Sequence, residues 1–242
     1  MVQESFIQFE THQQIAVIRM NRPEKRNALN QALLAGLFTA IEKFSNDENL
    51  NAAILTGNGN SFCAGLDLKA VGQENLFDPR GDGLDFPDLM TACLKPIIGA
   101  VNGPAITGGF EIALNCDFLI ASDTALFADT HAKVKIHPGW GMTQLLQQAI
   151  GQRRAKQMSF TAEPIHAKTA LEWGLVNEVT APMDLMPRAI ALAEQIAANE
   201  PKMVATIKQL IENKNNSFLN DSFRAERLGF YSFVRKNMPT HT

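Results

Sequence analysis

One glutamate, Glu111, stands in the most apolar stretch of this 242-residue chain, just after the pair Gly108-Gly109. From Pro96 to Ala121 the sequence reads PIIGAVNGPAITGGFEIALNCDFLIA, and Glu111 and Asp117 are its only charges. A carboxylate in such surroundings is costly to bury, so it must be paired, protonated or functional. Burial by itself raises its pKa toward neutrality, where a carboxyl group both gives and takes a proton. The glycines leave backbone N–H groups unshielded at the start of a predicted helix, GGFEIALNC, and free N–H groups there attract negative charge. An acid/base group and an oxyanion stabiliser then fall within one turn of each other. A plainer alternative is a buried ion pair beside glycines that only permit close packing.

A second turn of this kind follows the apolar run AAILT. In SFCAGLDLK, residues 61–69, Ala64-Gly65 precede Leu66 and a predicted helix start. Alone it reads as a tight turn. Paired with AITGGFE it offers two N–H donors converging on one carbonyl oxygen, which polarise a thioester and stabilise an enolate. Other motifs fail. GNG at 57–59 begins like a dinucleotide fingerprint, but Phe62 stands where the third glycine belongs. Walker, GxSxG, HExxH and paired CxxC patterns are missing from the sequence. His12, His131, His137, His166 and His241 are too scattered for a metal site, and no metal is expected. Cys63 follows a buried strand, lacks an evident base and reads as packing.

The elements that must position these residues follow from periodicity. Residues 5–10 and 14–20 read as an opening hairpin, and residues 29–47 carry Leu33, Leu34, Leu37, Ile41 and Phe44 at helical spacing. Strands are predicted at 52–56, 96–103 and 117–122, with a helix at 108–115 and a Gly- and Asp-rich loop at 72–86. This alternation indicates a mainly parallel sheet covered by helices. From Gly141 the pattern is helical apart from the short strand LVNEV, and 201–214 and 218–237 read as two separate helices.

Length and composition bound the function. The chain is 45% hydrophobic and 19% charged with a net charge of −3, which suits a soluble globular protein and makes nucleic acid an improbable partner. Cys63, Cys93 and Cys116 sit among apolar residues and read as reduced thiols of a cytoplasmic protein. The N-terminus, MVQESFIQFETHQQ, lacks the pattern of a secretory signal, and Pro, Gly and two acids interrupt the apolar 96–121 region, so no membrane span is expected.

NRPEKRNALN, the strand AAILT leading into GNGNSFCAGLDLK, VNGPAITGGFEIALNCDFLIAS and IHPGWGMTQLLQQAIG together resemble the successive signatures of the crotonase (enoyl-CoA hydratase/isomerase) superfamily, in order across residues 5–180. The resemblance implies an α/β fold with a spiral (ClpP-like) β/α core over residues 1–180. A helical C-terminal region, 181–242, would serve covering and trimerisation. It implies an acyl-CoA thioester substrate, coenzyme A being part of the substrate and no separate cofactor needed, and a homotrimer or a dimer of trimers. Carried over to this chain, the oxyanion donors are the N–H groups of Leu66 and Gly108. Lys25, Arg26, Ala28, Ala64, Asp67, Leu68 and Lys69 bind CoA, and Glu111 is one catalytic carboxylate.

The family's second glutamate belongs seven residues ahead of Pro138, and here that position is His131, in a Thr-His rather than a Pro-Glu pair. Trp140 replaces a small residue beside the acyl group, and with Gly139 it forms the acyl pocket. The chain stops at MPTHT, which implies an abbreviated C-terminal lid. The expected activity is enoyl-CoA hydration with Glu111 and His131 as the polar pair. The alternatives are a non-catalytic acyl-CoA-binding protein and an isomerase or other crotonase reaction. An imidazole beside an ionised Glu111 tends to the protonated form, so hydration is expected to be slow at neutral pH and to rise as His131 deprotonates. Phe218, Phe223, Leu228, Phe230, Tyr231 and Phe233 are expected to be exposed on the terminal helices and to be covered in at least a trimer.

Overall fold

The computed structural model describes residues 5–237, with the backbone alone for 213–223, 225 and 237. The hairpin forms as its β-formers predict. β1 (Ile7–His12) and β2 (Ile15–Met20) pair antiparallel, Ile7 opposite Met20 and His12 opposite Ile15. In α1 (Gln31–Asn46) the Asn30 side chain accepts from Leu33 N, and the five apolar residues at helical spacing are all buried. Next come β3 (Ala52–Gly57), α2 (Phe86–Ala92), β4 (Ile97–Val101), β5 (Ala105–Ile106), α3 (Gly108–Leu114), β6 (Phe118–Ser122) and β7 (Leu126–Ala128). They are followed by α4 (His131–Val134), α5 (Met142–Ile150), α6 (Gln152–Thr161), β8 (Ile165–His166), α7 (Ala167–Trp173), β9 (Glu178–Thr180), α8 (Leu185–Ala197) and α9 (Pro201–Asn237).

The strands make two ladders. A six-stranded sheet has the order β1-β2-β3-β4-β6-β9, parallel throughout except for β1. A three-stranded sheet has the order β5-β7-β8, and a bridge from Cys63 to Ala105 extends it. The chain therefore visits the large ladder and then the small one, three times in succession: β3 then Cys63, β4 then β5, β6 then β7. This is the spiral β/α core. One apolar core lies between the ladders and their helices, where Phe110 meets Phe127 with ring centroids 5.4 Å apart. A second core covers the far face of the large sheet, with Leu185, Ala189 and Ala193 of α8 against Val17, Ile54, Ile98 and Ile120.

Three local expectations change. After Asp67 the backbone forms a chain of turns rather than a helix, with Ala70 N donating to Asp67 O and Glu74 N to Ala70 O, and Gly72 at φ +76 inside the second turn takes the chain out of helical conformation. α2 arises at the end of the predicted loop, started by Asp85, whose carboxylate accepts from Asp88 N. The two last helices are one, because NNS between them, residues 215–217, contains no Gly or Pro to end it.

Asn27 joins the loop before α1 to the segment after β3. Fully buried and at φ +54, it donates through Nδ2 to the carbonyls of Asn58, Ser61 and Phe62, while Oδ1 accepts from Arg22 N. Asn27→Ala leaves those buried groups unpaired and removes the side chain best suited to a left-handed backbone. A stability loss of about 2–4 kcal/mol is expected by urea denaturation.

Candidate active site

Two turns meet where the small ladder ends. Leu29 bridges to Leu66, with Leu29 N donating to Gly65 O and Asp67 N to Leu29 O, which leaves Leu66 N free of backbone partners. Thr107 leads into Gly108 at φ +51 and ψ −113, an outlying conformation for a β-branched residue that costs about 1–3 kcal/mol. The Thr107 and Thr130 hydroxyls hydrogen-bond to each other, and Thr107 N donates to Ala128 O, so this strained turn is held on two sides. A Cβ added to Gly108 would lie 3.9 Å from Leu66 N. The two N–H groups assigned from the sequence are therefore neighbours.

The two glycines of the pair do different things. A Cβ on Gly109 would come within 2.3 Å of Cys63 O, so that residue must be glycine for α3 to pack on the ladder. At Gly108 the nearest atom, Leu29 Cδ1, would be 3.5 Å away, an ordinary contact. Packing explains Gly109 and leaves Gly108 facing the cavity.

Glu111 projects from α3 and is 3% exposed. Its Oε1 accepts from the backbone N–H groups of Gly139 (3.3 Å) and Trp140 (2.9 Å), in the loop that enters α5, and of Met142 (3.3 Å), the first residue of that helix. Of the possibilities open for a buried carboxylate, it is paired on one oxygen. Its other oxygen, Oε2, lies 3.6 Å from His131 Nε2. His131 is 6% exposed, and its Nδ1 sits 2.7 Å from Asp129 Oδ1, which also accepts from His131 N at 3.1 Å. Burial pulls the imidazole pKa down. The Glu111 charge, the Asp129 hydrogen bond and the Asp129 charge outweigh burial and push it up to about 10. Burial likewise opposes ionisation of Asp129, but the hydrogen bond and charge of His131, with the Ser159 hydroxyl, hold its pKa below the ordinary value.

The sequence reading missed four residues of this region. Asp129 lies two residues from His131, close enough for the pairing to be read from DTH. Glu226 of α9 accepts from Gly141 N at 2.8 Å, from Thr143 N at 3.2 Å and from the Thr143 hydroxyl; burial, more than the nearby Glu111 charge, raises its pKa. Phe230 is not exposed as expected but 6% exposed, because it packs on Gly139 and meets Phe77 edge-on at 4.8 Å. With Trp140, Phe230 and Phe77 close a cavity of about 90 Å³ over Leu66, Gly108, Glu111 and His131. Leu228 and Tyr231 are exposed and Phe233 half-buried, while Phe218 and Phe223 lie outside the described side chains.

The residues assigned to CoA gather beside this cavity. Lys25, Arg26, Leu68 and Lys69 are exposed, and Ala28, Ala64 and Asp67 half-buried. Ala64 N donates to Arg26 O, which links the two segments. The Asp67 carboxylate is committed to Arg22 at 2.8 Å, and the Arg22 hydrogen bond holds its pKa down. Burial pushes the Cys63 thiol up to about 12, which fits packing and not nucleophilic chemistry.

Fold and site first define a class: an α/β protein with a spiral core whose two strand-end turns present free N–H groups beside a buried carboxylate. Residues 10–239 match the family model described as enoyl-CoA hydratase/isomerase. The chain is 43% identical over 201 residues to a probable peroxisomal enoyl-CoA hydratase of Arabidopsis thaliana, covering 82% of this chain and 75% of that one. It is 40% identical over 206 residues to a short-chain-enoyl-CoA hydratase of Clostridium acetobutylicum, covering 84% and 79%. Among solved structures, an enoyl-CoA hydratase from Mycobacterium smegmatis superposes with a TM-score of 0.85 at 35% identity, covering 97% of this chain and all of the other. The chain belongs to the enoyl-CoA hydratase/isomerase, or crotonase, family.

The glycine pair gives a direct check. Gly109→Ala should lower stability by about 1–3 kcal/mol through overpacking. Gly108→Ala should melt near the wild-type temperature, yet lose activity because its methyl shields the N–H groups. Equal melting temperatures for the two variants would contradict this division of roles.

Proposed function

We propose that the protein hydrates 2-enoyl-CoA thioesters to 3-hydroxyacyl-CoA, with Glu111 as base, His131 as acid, and Leu66 N–H and Gly108 N–H as the oxyanion donors. One observation carries the reading: a carboxylate oxygen and an imidazole nitrogen 3.6 Å apart, buried together beside two free N–H groups. Glu111 takes a proton from water as the water oxygen bonds to C3 of the enoyl group. Electrons move to the thioester oxygen, where the two N–H groups hold the developing enolate. His131 Nε2–H delivers a proton to C2 as the carbonyl re-forms. Proton transfer from Glu111 to His131 then restores both groups.

Donation is the role that fits a histidine placed between two carboxylates. This revises the expected pH profile. A neutral imidazole base would give a rate that rises with deprotonation, whereas an imidazolium acid gives a rate that holds through neutral pH and falls as pH approaches about 10. Backbone around Lys25, Arg26, Ala28, Ala64, Asp67 and Leu68 holds the adenosine, and Lys69 with Lys25 or Arg26 faces the CoA phosphates. Gly139, Trp140 and Phe230 wall the acyl group. A cavity of about 90 Å³ is well below the usual size of a drug-sized ligand site and favours short acyl chains.

The test is the loss of enoyl absorbance with 2-butenoyl-CoA and with longer substrates. Turnover should be highest on the shortest chain, and Glu111→Gln and His131→Ala should each reduce it by about a hundredfold or more. Tight binding of acyl-CoA without turnover of any substrate would replace hydration by a carrier role.

We also propose that the protein works in the cytoplasm, where its three free, buried cysteines stay reduced. Among the described residues no helix is long and apolar enough to cross a membrane. For assembly we propose a homotrimer or a pair of trimers. The support is a groove between α9 and the core, bordered by Ile207, Ile211 and Leu228, all exposed apolar residues. Light scattering at micromolar concentration should give at least three times the 26.6 kDa chain mass, and a monomer would count against the proposal.

A further inference from the structure

The site contains a carboxylate that the hydration steps do not use. Asp129 is 2% exposed, and one of its oxygens binds His131 twice, through Nδ1 and through the backbone N–H. Binding the backbone fixes Asp129 relative to the start of α4, and binding the ring fixes the imidazole relative to Asp129. A ring free to turn about its side-chain bonds could present either nitrogen, or neither, to Glu111. With Nδ1 held, Nε2 is the nitrogen that faces Oε2.

We propose that Asp129 is a positioning residue that locks the His131 ring with Nε2 toward Glu111 and keeps that ring doubly protonated, so that His131 is a standing proton donor and not a base. The acid role rests on the hydration reading above; the protonation and orientation of the ring do not.

The surrounding charges support the lock. Facing His131 are Glu111 from α3 and Asp129 from the loop that enters α4. Behind Glu111 stands Glu226 from α9, which accepts from Gly141 N and Thr143 N, and His137 lies in the cavity wall with Nδ1 at its neighbour's carbonyl. No Lys or Arg forms an ion pair with Glu111 or Asp129 among the described residues, so the imidazolium is their cationic partner. Losing its proton would leave two buried carboxylates without a counter-charge, which is the costly state. Asp129 opposes that loss twice: it supplies negative charge, and it accepts the Nδ1 proton. The arrangement resembles an orienting acid behind a catalytic histidine, but here a second carboxylate faces the other nitrogen.

The linkage has a definite sign. The folded-state pKa of His131 lies above its unfolded value, so its stabilising contribution is complete below about pH 6.5 and is lost as pH rises toward about 10.

The test follows His131 by nitrogen-15 NMR of the imidazole in the full chain, for wild type and Asp129→Asn, with the pH profile of kcat measured in parallel. In wild type both ring nitrogens should be protonated at pH 8; a neutral ring there overturns the proposal whether or not the variant folds. In Asp129→Asn, which keeps the shape and loses the charge, the titration should move down by about one pH unit or more. The high-pH fall of kcat should move down by the same interval as the ring titration, with KM little changed, and activity lost above the new titration point should return as pH is lowered. An unshifted ring titration in a folded Asp129→Asn protein overturns the proposal. If the ring behaves as stated while neither protein turns over any enoyl-CoA, the hydration reading fails and the positioning role stands.

Discussion

The beginning of α5 holds the site together. A helix start and the loop that enters it leave backbone N–H groups without partners, and here two carboxylates from distant parts of the chain take them up. Glu111 accepts from Gly139, Trp140 and Met142, and Glu226 from Gly141 and Thr143. Each carboxylate is buried, and without these donors each would be unaffordable at its place. The helix thereby fixes one oxygen of Glu111 and leaves the other aimed at His131. It also ties the long terminal helix to the wall of the cavity.

Around this junction the fold supplies rigidity from its spiral. The two turns that offer Leu66 N and Gly108 N follow consecutive rungs of the small ladder, at Cys63 and at β5, so the ladder sets their spacing. Strain at the junction falls on Thr107, a β-branched residue at positive φ and ψ −113 that sits between a hydroxyl contact and a backbone bond. A backbone held on both sides fixes the direction in which Gly108 N–H points.

How much of this was legible in the sequence depended on how local the signal was. Glu111, Gly108 and Leu66 were legible because burial and turn chemistry are written within a few residues of each. The parallel sheet was legible because its strands alternate with helical periods. His131 was reached by counting from Pro138 within a resemblance, not from its own chemistry. Asp129 could have been found, since a carboxylate two residues from a histidine is a local pattern. Glu226 and Phe230 could not: they meet residues across the chain, 85 positions away in the case of Glu226 and Gly141, and helical periodicity says that a face is buried without saying against what. α2 was too short for a periodic signal, and the polar residues at the join within α9 carry no apolar period from which its continuity could be read.

The placement of Phe230 separates two properties that many active sites keep together. Glu111, His131 and the free N–H groups of Leu66 and Gly108 come from the spiral, on short elements whose packing tolerates little change, as Gly109 against Cys63 shows. One wall of the chamber comes instead from a terminal helix whose outer face is exposed. Substitutions at Phe230, one turn beyond Glu226, can widen or narrow the chamber while Glu111 and His131 stay where the ladders put them. The buried polar pair and the size of the chamber beside it are thus inherited on different stretches of the chain and are free to diverge at different rates.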